Sequence, residues 1–404
     1  MAISDQTRPP LKEELAPSSA SPVASPAEEL APSSAPLRND WSSLGKWLQA
    51  TWRRFTSWIR VDGASWKRRL LSPLGIGAVA ALVTLGLIAY ALFGVGSSPS
   101  AAASNGSHQM GGMSTSTSNA PNATAQYGNQ PAKYVTDSDG AKHFTMTAKQ
   151  VMWEVTKGHR VLAWTFDGMV PGPQIRVTAG DHVRVTINNQ FPEPTTVHFH
   201  GLQIPSKADG VPGVGQDPIA PGKSYTYDFT VVDSDAGTHW YHSHYDDLRQ
   251  VSGGFYGAFV VDPRPGSEQA KQNVSADQET TVFISELGGY FVMNGKSFPD
   301  TQTIDVKHGQ VTKMRLINSG EMLHPMHLHG HYFTVVAEGG HTLGSPIDKD
   351  TLTLAPGETY DVTFTAWGQV GDVYPFHCHI LSHVMNPGQS MDEMGGLIML
   401  VRYV

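Results

Sequence analysis

Ala179-Gly180-Asp181-His182-Val183-Arg184-Val185-Thr186-Ile187-Asn188-Asn189 reads as a glycine turn followed by a strand in which Val183, Val185 and Ile187 alternate with polar neighbours. Side chains on a strand point to opposite faces in turn, so this period of two predicts one face on a core and one toward water. The text returns 129 residues later, where His308-Gly309-Gln310 precedes Thr312-Lys313-Met314-Arg315-Leu316-Ile317-Asn318-Ser319. Further pairs repeat in the same order. His198-Phe199-His200-Gly201 answers to His327-Leu328-His329-Gly330, and Ala220-Pro221-Gly222 to Ala355-Pro356-Gly357. His242-Ser243-His244 answers to His377-Cys378-His379, and Gly253-Gly254 to Gly395-Gly396, with offsets drifting from 129 to 142 as a few loop insertions would produce. Two homologous β-domains follow, at 131–267 and 275–404. Short strands between Gly, Pro and Asp turns, without helical periodicity, predict an all-β class built of Greek-key sandwiches.

The remainder of the 404 residues is of another kind. Residues 1–40 are rich in Pro, Ser, Ala and Glu and carry the octapeptide EELAPSSA twice, a composition that cannot bury enough apolar surface to offset its ordering entropy. A disordered arm is expected there. Across 41–70, Trp41, Leu44, Leu48, Trp52, Phe55 and Ile59 recur at spacings of three and four among basic residues, as in an amphipathic helix lying on an anionic leaflet. Residues 74–95 are uncharged and long enough to cross a hydrocarbon core of about 30 Å, so a transmembrane helix is expected. Lys67, Arg68 and Arg69 precede it, which puts the N-terminus inside and the β-domains on the extracellular or periplasmic side of a cytoplasmic membrane crossed once. Residues 96–130, rich in Ser, Gly, Ala and Asn, read as a flexible linker. The net charge of −8 leaves no cationic surplus for phosphate, so nucleic acid is not an expected partner.

There are 18 histidines and one cysteine, too few thiols for a disulfide within the chain. The histidines cluster as His198 and His200, His242 and His244, then His324, His327, His329 and His331, then His377, His379 and His383. His-x-His on a strand sets both imidazoles on one face. One such pair is weak evidence; four at equivalent points of two repeats indicate metal. Cys378 lies between two of these histidines, and a thiolate with two imidazoles and a weak thioether is the donor set of a blue-copper site, with His324, Cys378 and His383 as the trigonal group. Zinc competes for mixed nitrogen and sulfur ligands, but a zinc site closes with three or four and does not need ten histidines.

HFHG from His198, WYHSH from Trp240, HPMHLHGHYF from His324 and HCHILSH from His377 resemble the four-motif signature of the multicopper oxidases, over nearly all of residues 135–404. The resemblance implies two cupredoxin-like domains and four copper ions per chain. A type 1 copper would be held by His324, Cys378 and His383, a type 2 copper by His198 and His327, and a type 3 pair by His200, His242, His244, His329, His377 and His379. It implies that electrons enter singly at the type 1 copper and pass through Cys378 to His377 and His379, and that four of them reduce O2 to two waters. Asp209 matches the position of the family's acidic proton relay, though Asp before Gly is equally a turn former. The implied reductants are phenols or aromatic amines, with Cu(I), Fe(II) or Mn(II) as the metallo-oxidase alternative.

The chain departs from the family's usual three-domain plan and resembles its two-domain, small-laccase type, which implies a homotrimer with each trinuclear cluster shared between subunits. Gly388 stands where the axial ligand is often placed, ten residues past Cys378, and Met385, Met391 and Met394 offer substitutes. Met394, directly before Gly395-Gly396 and the last strand, is the predicted axial ligand. A two-domain copper nitrite reductase would carry its type 1 cysteine in the first domain and no type 3 pair, and a nonenzymatic copper-binding protein would leave eight cluster histidines unused.

Overall fold

The computed structural model describes residues 119–390 and 392–404. The arm, the amphipathic helix and the membrane span expected at 1–40, 41–70 and 74–95 lie outside these residues, and among the described residues no helix is long and apolar enough to cross a membrane.

The first domain contains β1 (Tyr134–Thr136), β2 (Lys142–Thr156), β3 (His159–Phe166), β4 (Ile175–Thr178), β5 (His182–Asn189), β6 (His198–His200), β7 (Ser224–Thr230), β8 (Gly237–His242) and β9 (Tyr256–Asp262). One sheet runs β1-β2-β5-β7 with β3 also on β2, and the other runs β4-β9-β8-β6. The second domain contains β10 (Gln278–Leu287), β11 (Tyr290–Met293), β12 (Ile304–Val306), β13 (Val311–Asn318), β14 (His324–Leu328), β15 (Phe333–Glu338), β16 (His341–Lys349), β17 (Thr351–Leu354), β18 (Thr359–Thr365), β19 (Val373–Cys378) and β20 (Ile398–Tyr403). Its sheets run β11-β10-β13-β18-β15-β16 and β12-β20-β19-β14-β17. The duplication extends to strand direction. β2 with β5 and β4 with β9 are parallel in one domain, and β10 with β13 and β12 with β20 are parallel in the other, among antiparallel neighbours. This is the all-β cupredoxin-like arrangement.

β5 alternates between buried and half-buried positions as its sequence dictates. β13 does not: only its first residue escapes burial, and Lys313 and Arg315 are buried with the rest. Its outer face meets the first domain, where Arg315 donates to Thr238 Oγ1 of β8 at 2.7 Å. Around this contact Trp153, Trp240 and Tyr256 pack with Phe283, Leu287 and Ile317 in a core shared by both domains. Burying side chains of this size contributes about 1.5–3 kcal/mol each, so the domains are held together as well as repeated.

Two residues show how closely the repeat is kept. Asn189 Nδ2 donates to Glu193 O and Ile219 O, and its Oδ1 accepts from Phe191 N. Asn318 makes the equivalent bonds to Met322 O, Leu354 O and Gly320 N. Each amide closes the loop leading to the following histidine strand.

Residues 119–130 correct the expected linker. Ala123 N donates to Met152 O, Met152 N to Pro121 O, Asn129 N to Pro171 O and Gln174 N to Gln130 O. Pairing with Met152 of β2 and with Pro171 and Gln174 satisfies backbone groups that composition alone assigned to water.

Candidate metal centre

His324 opens β14 and Cys378 closes the adjacent β19, with Met326 opposite Cys378 and His327 opposite His377 in the ladder. The turn Leu381–Val384 then brings His383 back. Cys378 Sγ lies 3.8 Å from His324 Nδ1 and 3.6 Å from His383 Nδ1, and the two nitrogens are 3.2 Å apart. Donors bonded at ~2.0–2.3 Å to one centre stand roughly 3.3–3.8 Å from each other, so the trio fits a single ion. All three are buried. Burial pushes the Cys378 thiol up to about 11, so metal binding must release that proton.

The tautomers suit the fit. His324 Nε2 lies 3.1 Å from Glu286 Oε1, and donating its proton there leaves the Nδ1 lone pair toward the trio. Glu286 also accepts from Glu321 N at 2.9 Å. A Cβ at Gly320 would fall 2.4 Å from Glu286 Oε2, so the missing side chain makes room for the carboxylate. Phe291 stacks on His383 with centroids 4.1 Å apart. No sequence signal marks Glu286 as part of this site.

The other eight histidines of the candidate ligand set form two tetrads. His198 and His200 on β6 face His242, the last residue of β8, and His244 just beyond it, with the other three ring centroids 5.3–5.7 Å from that of His198. In the second domain His327 and His329 face His377 and His379, and His329 Nε2 is 3.0 Å from His377 Nε2. Four rings have their Nδ1 near a backbone carbonyl: His198 with Asp209 O (2.8 Å), His327 with Asp350 O (2.7 Å), His242 with Ser243 O (2.7 Å) and His377 with Cys378 O (2.8 Å). Donation from Nδ1 in these four rings leaves the Nε2 nitrogens as their metal-binding atoms. His242 Nε2 is buried without a partner, an orphan that an ion would satisfy. Among the described residues, no ring of one tetrad touches a ring of the other.

Asp209 serves the first tetrad twice, through its carbonyl and through Oδ1, 3.2 Å from His198 Nδ1. Its turn has a backbone cause as well: Gly210 has φ +82°, and a Cβ there would meet Val197 O at 2.0 Å. His331 bonds His329 O and Tyr403 Oη through its two nitrogens, which leaves it no lone pair for a metal.

Met394 is a correction. Its side chain is 64% exposed, against 0% for His324 and Cys378 and 6% for His383, so the structure does not bring its sulfur to the trio. Gly395 N bonds Val384 O and Leu397 N bonds His383 O, while Asp392, Glu393 and Met394 just before them are exposed. Proximity in sequence to the last strand did not carry Met394 inward. Met385 is half-buried, and Met391 lies outside the described residues.

Desolvation lowers His200 to about 4, His242 to about 3 and His383 to about 4. An unfolded imidazole titrates near ~6.5. Between that value and the folded ones, the unfolded chain binds protons that the folded chain refuses, so stability is full above about pH 6.5 and falls as the pH drops toward 4. The slope reaches at most about 1.4 kcal/mol per pH unit for each imidazole. Copper-free protein is therefore expected to lose denaturant midpoint steadily from pH 7 to 4, and a flat profile would show that these rings are solvated.

Residues 147–266 and 263–388 each match a family profile described as multicopper oxidase. Among solved structures, the chain is similar to the multicopper oxidase mgLAC (36% identity, 65% of this chain and 86% of that one, TM-score 0.59). It is also similar to the blue copper oxidase from Nitrosomonas europaea (31% identity, 65% and 85%, TM-score 0.59). Laccase-7 of Oryza sativa subsp. japonica is 34% identical over 238 residues, covering 52% of this chain and 41% of that protein. The chain thus spans less than half the length of this curated relative, while covering most of the two solved structures. With its paired sandwiches, its duplicated histidine motifs and its buried cysteine between two imidazoles, the chain belongs to the multicopper oxidase family.

Proposed function

We propose that this protein is a laccase-like copper oxidase that couples one-electron oxidation of phenols or aromatic amines to four-electron reduction of O2 to water. The observation that carries this reading is the end of β19. Cys378 faces the buried trio while His377 and His379, one residue to either side, face the second tetrad. One strand end thus serves both groups, with only covalent bonds between them. When bound, copper supplies the one-electron acceptor at the trio and the oxygen-reducing centre at the tetrads.

In this reading His324, Cys378 and His383 hold a type 1 copper. His198 and His327 hold a type 2 copper, and His200, His242, His244, His329, His377 and His379 hold a type 3 pair, four ions per chain. Asp209, whose carboxylate lies 3.2 Å from His198 Nδ1, takes the acidic relay role in this reading. Each chain carries two half-sites whose rings do not meet, which supports a cyclic homotrimer in which the first domain of one subunit completes the second domain of the next. Anchorage by residues 74–95, with the β-domains outside the membrane, rests on hydropathy and the basic flank.

The test combines copper counting, absorption and EPR spectroscopy, and oxygen uptake with a phenol, Cu(I) and Fe(II) in turn. Four coppers per chain with phenol-driven oxygen uptake are expected. Preference for a metal ion would replace the substrate class, and no uptake by copper-loaded protein would overturn the reading. A fully active, copper-loaded monomer would overturn the trimer.

A further inference from the structure

In the second domain, His377-Cys378-His379 is tied down through the cysteine. The first domain repeats the geometry without those donors. Thr195 stands 129 residues before His324 and Ser243 stands 135 before Cys378, the offsets that also relate the flanking histidines. Neither hydroxyl can replace a soft thiolate or an imidazole. Both nonetheless converge on one atom: Thr195 Oγ1 and Ser243 Oγ donate to Gln250 Oε1 at 2.7 Å each.

Gln250 reaches in from the single helical turn Asp247–Gln250 and is fully buried, as are Thr195 and Ser243. Its Nε2 donates to Glu193 Oε1 at 2.9 Å and to Pro194 O at 3.0 Å. Two acceptor bonds and two donor bonds satisfy the amide, and the flipped amide would set its oxygen against a carboxylate and a carbonyl. Ser243 is the hub. Its Oγ accepts from Tyr245 N at 3.1 Å, closing the turn past His244, and its carbonyl takes the His242 Nδ1 proton at 2.7 Å.

Resting on the copper assignment proposed above, we infer that Gln250 occupies the place that type 1 copper takes in the second domain, as a neutral strut that pins Ser243 and thereby aims His242 and His244 at the trinuclear site. Gln250 is a positioning residue and touches no metal. Without the strut, Ser243 can shift and the His242 ring shifts with it, because the carbonyl that orients the ring belongs to Ser243. The mobile donors then hold their ion less well, as when an outer-shell partner of a ligating imidazole is removed. The blue site has no share in this network, since its three donors all come from the second domain.

The test compares copper-loaded wild-type protein with Gln250→Leu, which keeps the volume and removes all four bonds. The expected result is full type 1 absorption and EPR signal, an altered type 2 EPR hyperfine pattern, and about 10–100-fold weaker retention of trinuclear copper against a chelator. If Gln250→Leu yields no folded protein, Ser243→Ala decides in its place; it deletes one oxygen and is expected to show the same selective loss at smaller size. Unchanged type 2 signal and copper retention in a folded variant overturn the inference. So does equal loss of type 1 and trinuclear copper, which marks a merely structural role. A wild-type protein that never shows a trinuclear signal overturns the copper assignment itself, and the inference falls with it.

Discussion

Replacing Cys378 by serine is expected to abolish the blue absorption and to lower phenol-driven oxygen uptake by more than the ~100-fold that loss of an outer-shell partner costs, while copper stays at the histidine tetrads. Cys378 is fully buried, and its sulfur is the donor that His324 and His383 share. A serine hydroxyl is hard and holds its proton at neutral pH, so it supplies neither the soft anionic bond nor the charge that stabilises a cupric ion between two imidazoles. The first domain shows what serine does in this position. Ser243 donates its hydroxyl proton to Gln250 Oε1 and accepts from Tyr245 N. The tetrads should survive the change, because His377 is oriented by the backbone carbonyl of residue 378 and not by its side chain. Absorption, copper counting and oxygen uptake on one preparation decide the matter. Persistence of the blue band or of the rate would remove Cys378 from the site.

The metal-bearing strands were legible in the sequence because their signal is local. His-x-His reads as one face of a strand without knowledge of anything else, and repetition at a near-constant offset turned four weak pairs into one strong statement. Cys378 was legible because the chain has no other thiol. What escaped depends on contacts across long separations. Glu286 reaches His324 from β10, 38 residues earlier, through a gap left by Gly320, and neither residue carries a motif. Gln250 sits on an exposed-looking helical turn whose amide finds its partners only after the loop from Glu193 to Thr195 has folded against it. Met394 misled for the opposite reason: its place beside a glycine pair and the last strand is a local cue, while the bonds that turn its loop outward join Gly395 and Leu397 to Val384 and His383. Period-two patterning identified the core face of β5 but not the burial of Lys313 and Arg315 on β13, because the second domain's outer face becomes an inner one on meeting the first.

That meeting surface supports the second large effect. Asp361→Ala is expected to destabilise the protein by about 3–5 kcal/mol, the usual cost of removing one partner of a buried ion pair. Asp361 Oδ2 accepts from Arg315 Nη1 at 2.7 Å, Asp361 Oδ1 accepts from Thr238 Oγ1 at 2.5 Å, and Arg315 also donates to Thr238. Both charged side chains are almost wholly enclosed, so the remaining guanidinium could not be rehydrated, and Glu279 would be its one carboxylate partner. The paired change Arg315→Met with Asp361→Leu should recover part of the loss, because two apolar groups need no partner and Glu279, which loses Arg315, keeps Arg176. Denaturant unfolding of wild type and the two variants forms the test, and a cost below about 1 kcal/mol for the single change would place the pair in solvent. The consequence reaches the metal centre along one strand. Thr238 and His242 both lie on β8, so the contact that joins the domains also fixes the strand that presents the first tetrad. Loosening it should lower trinuclear copper retention in Asp361→Ala and leave it near wild type in the paired variant, which repacks the interface without its charges.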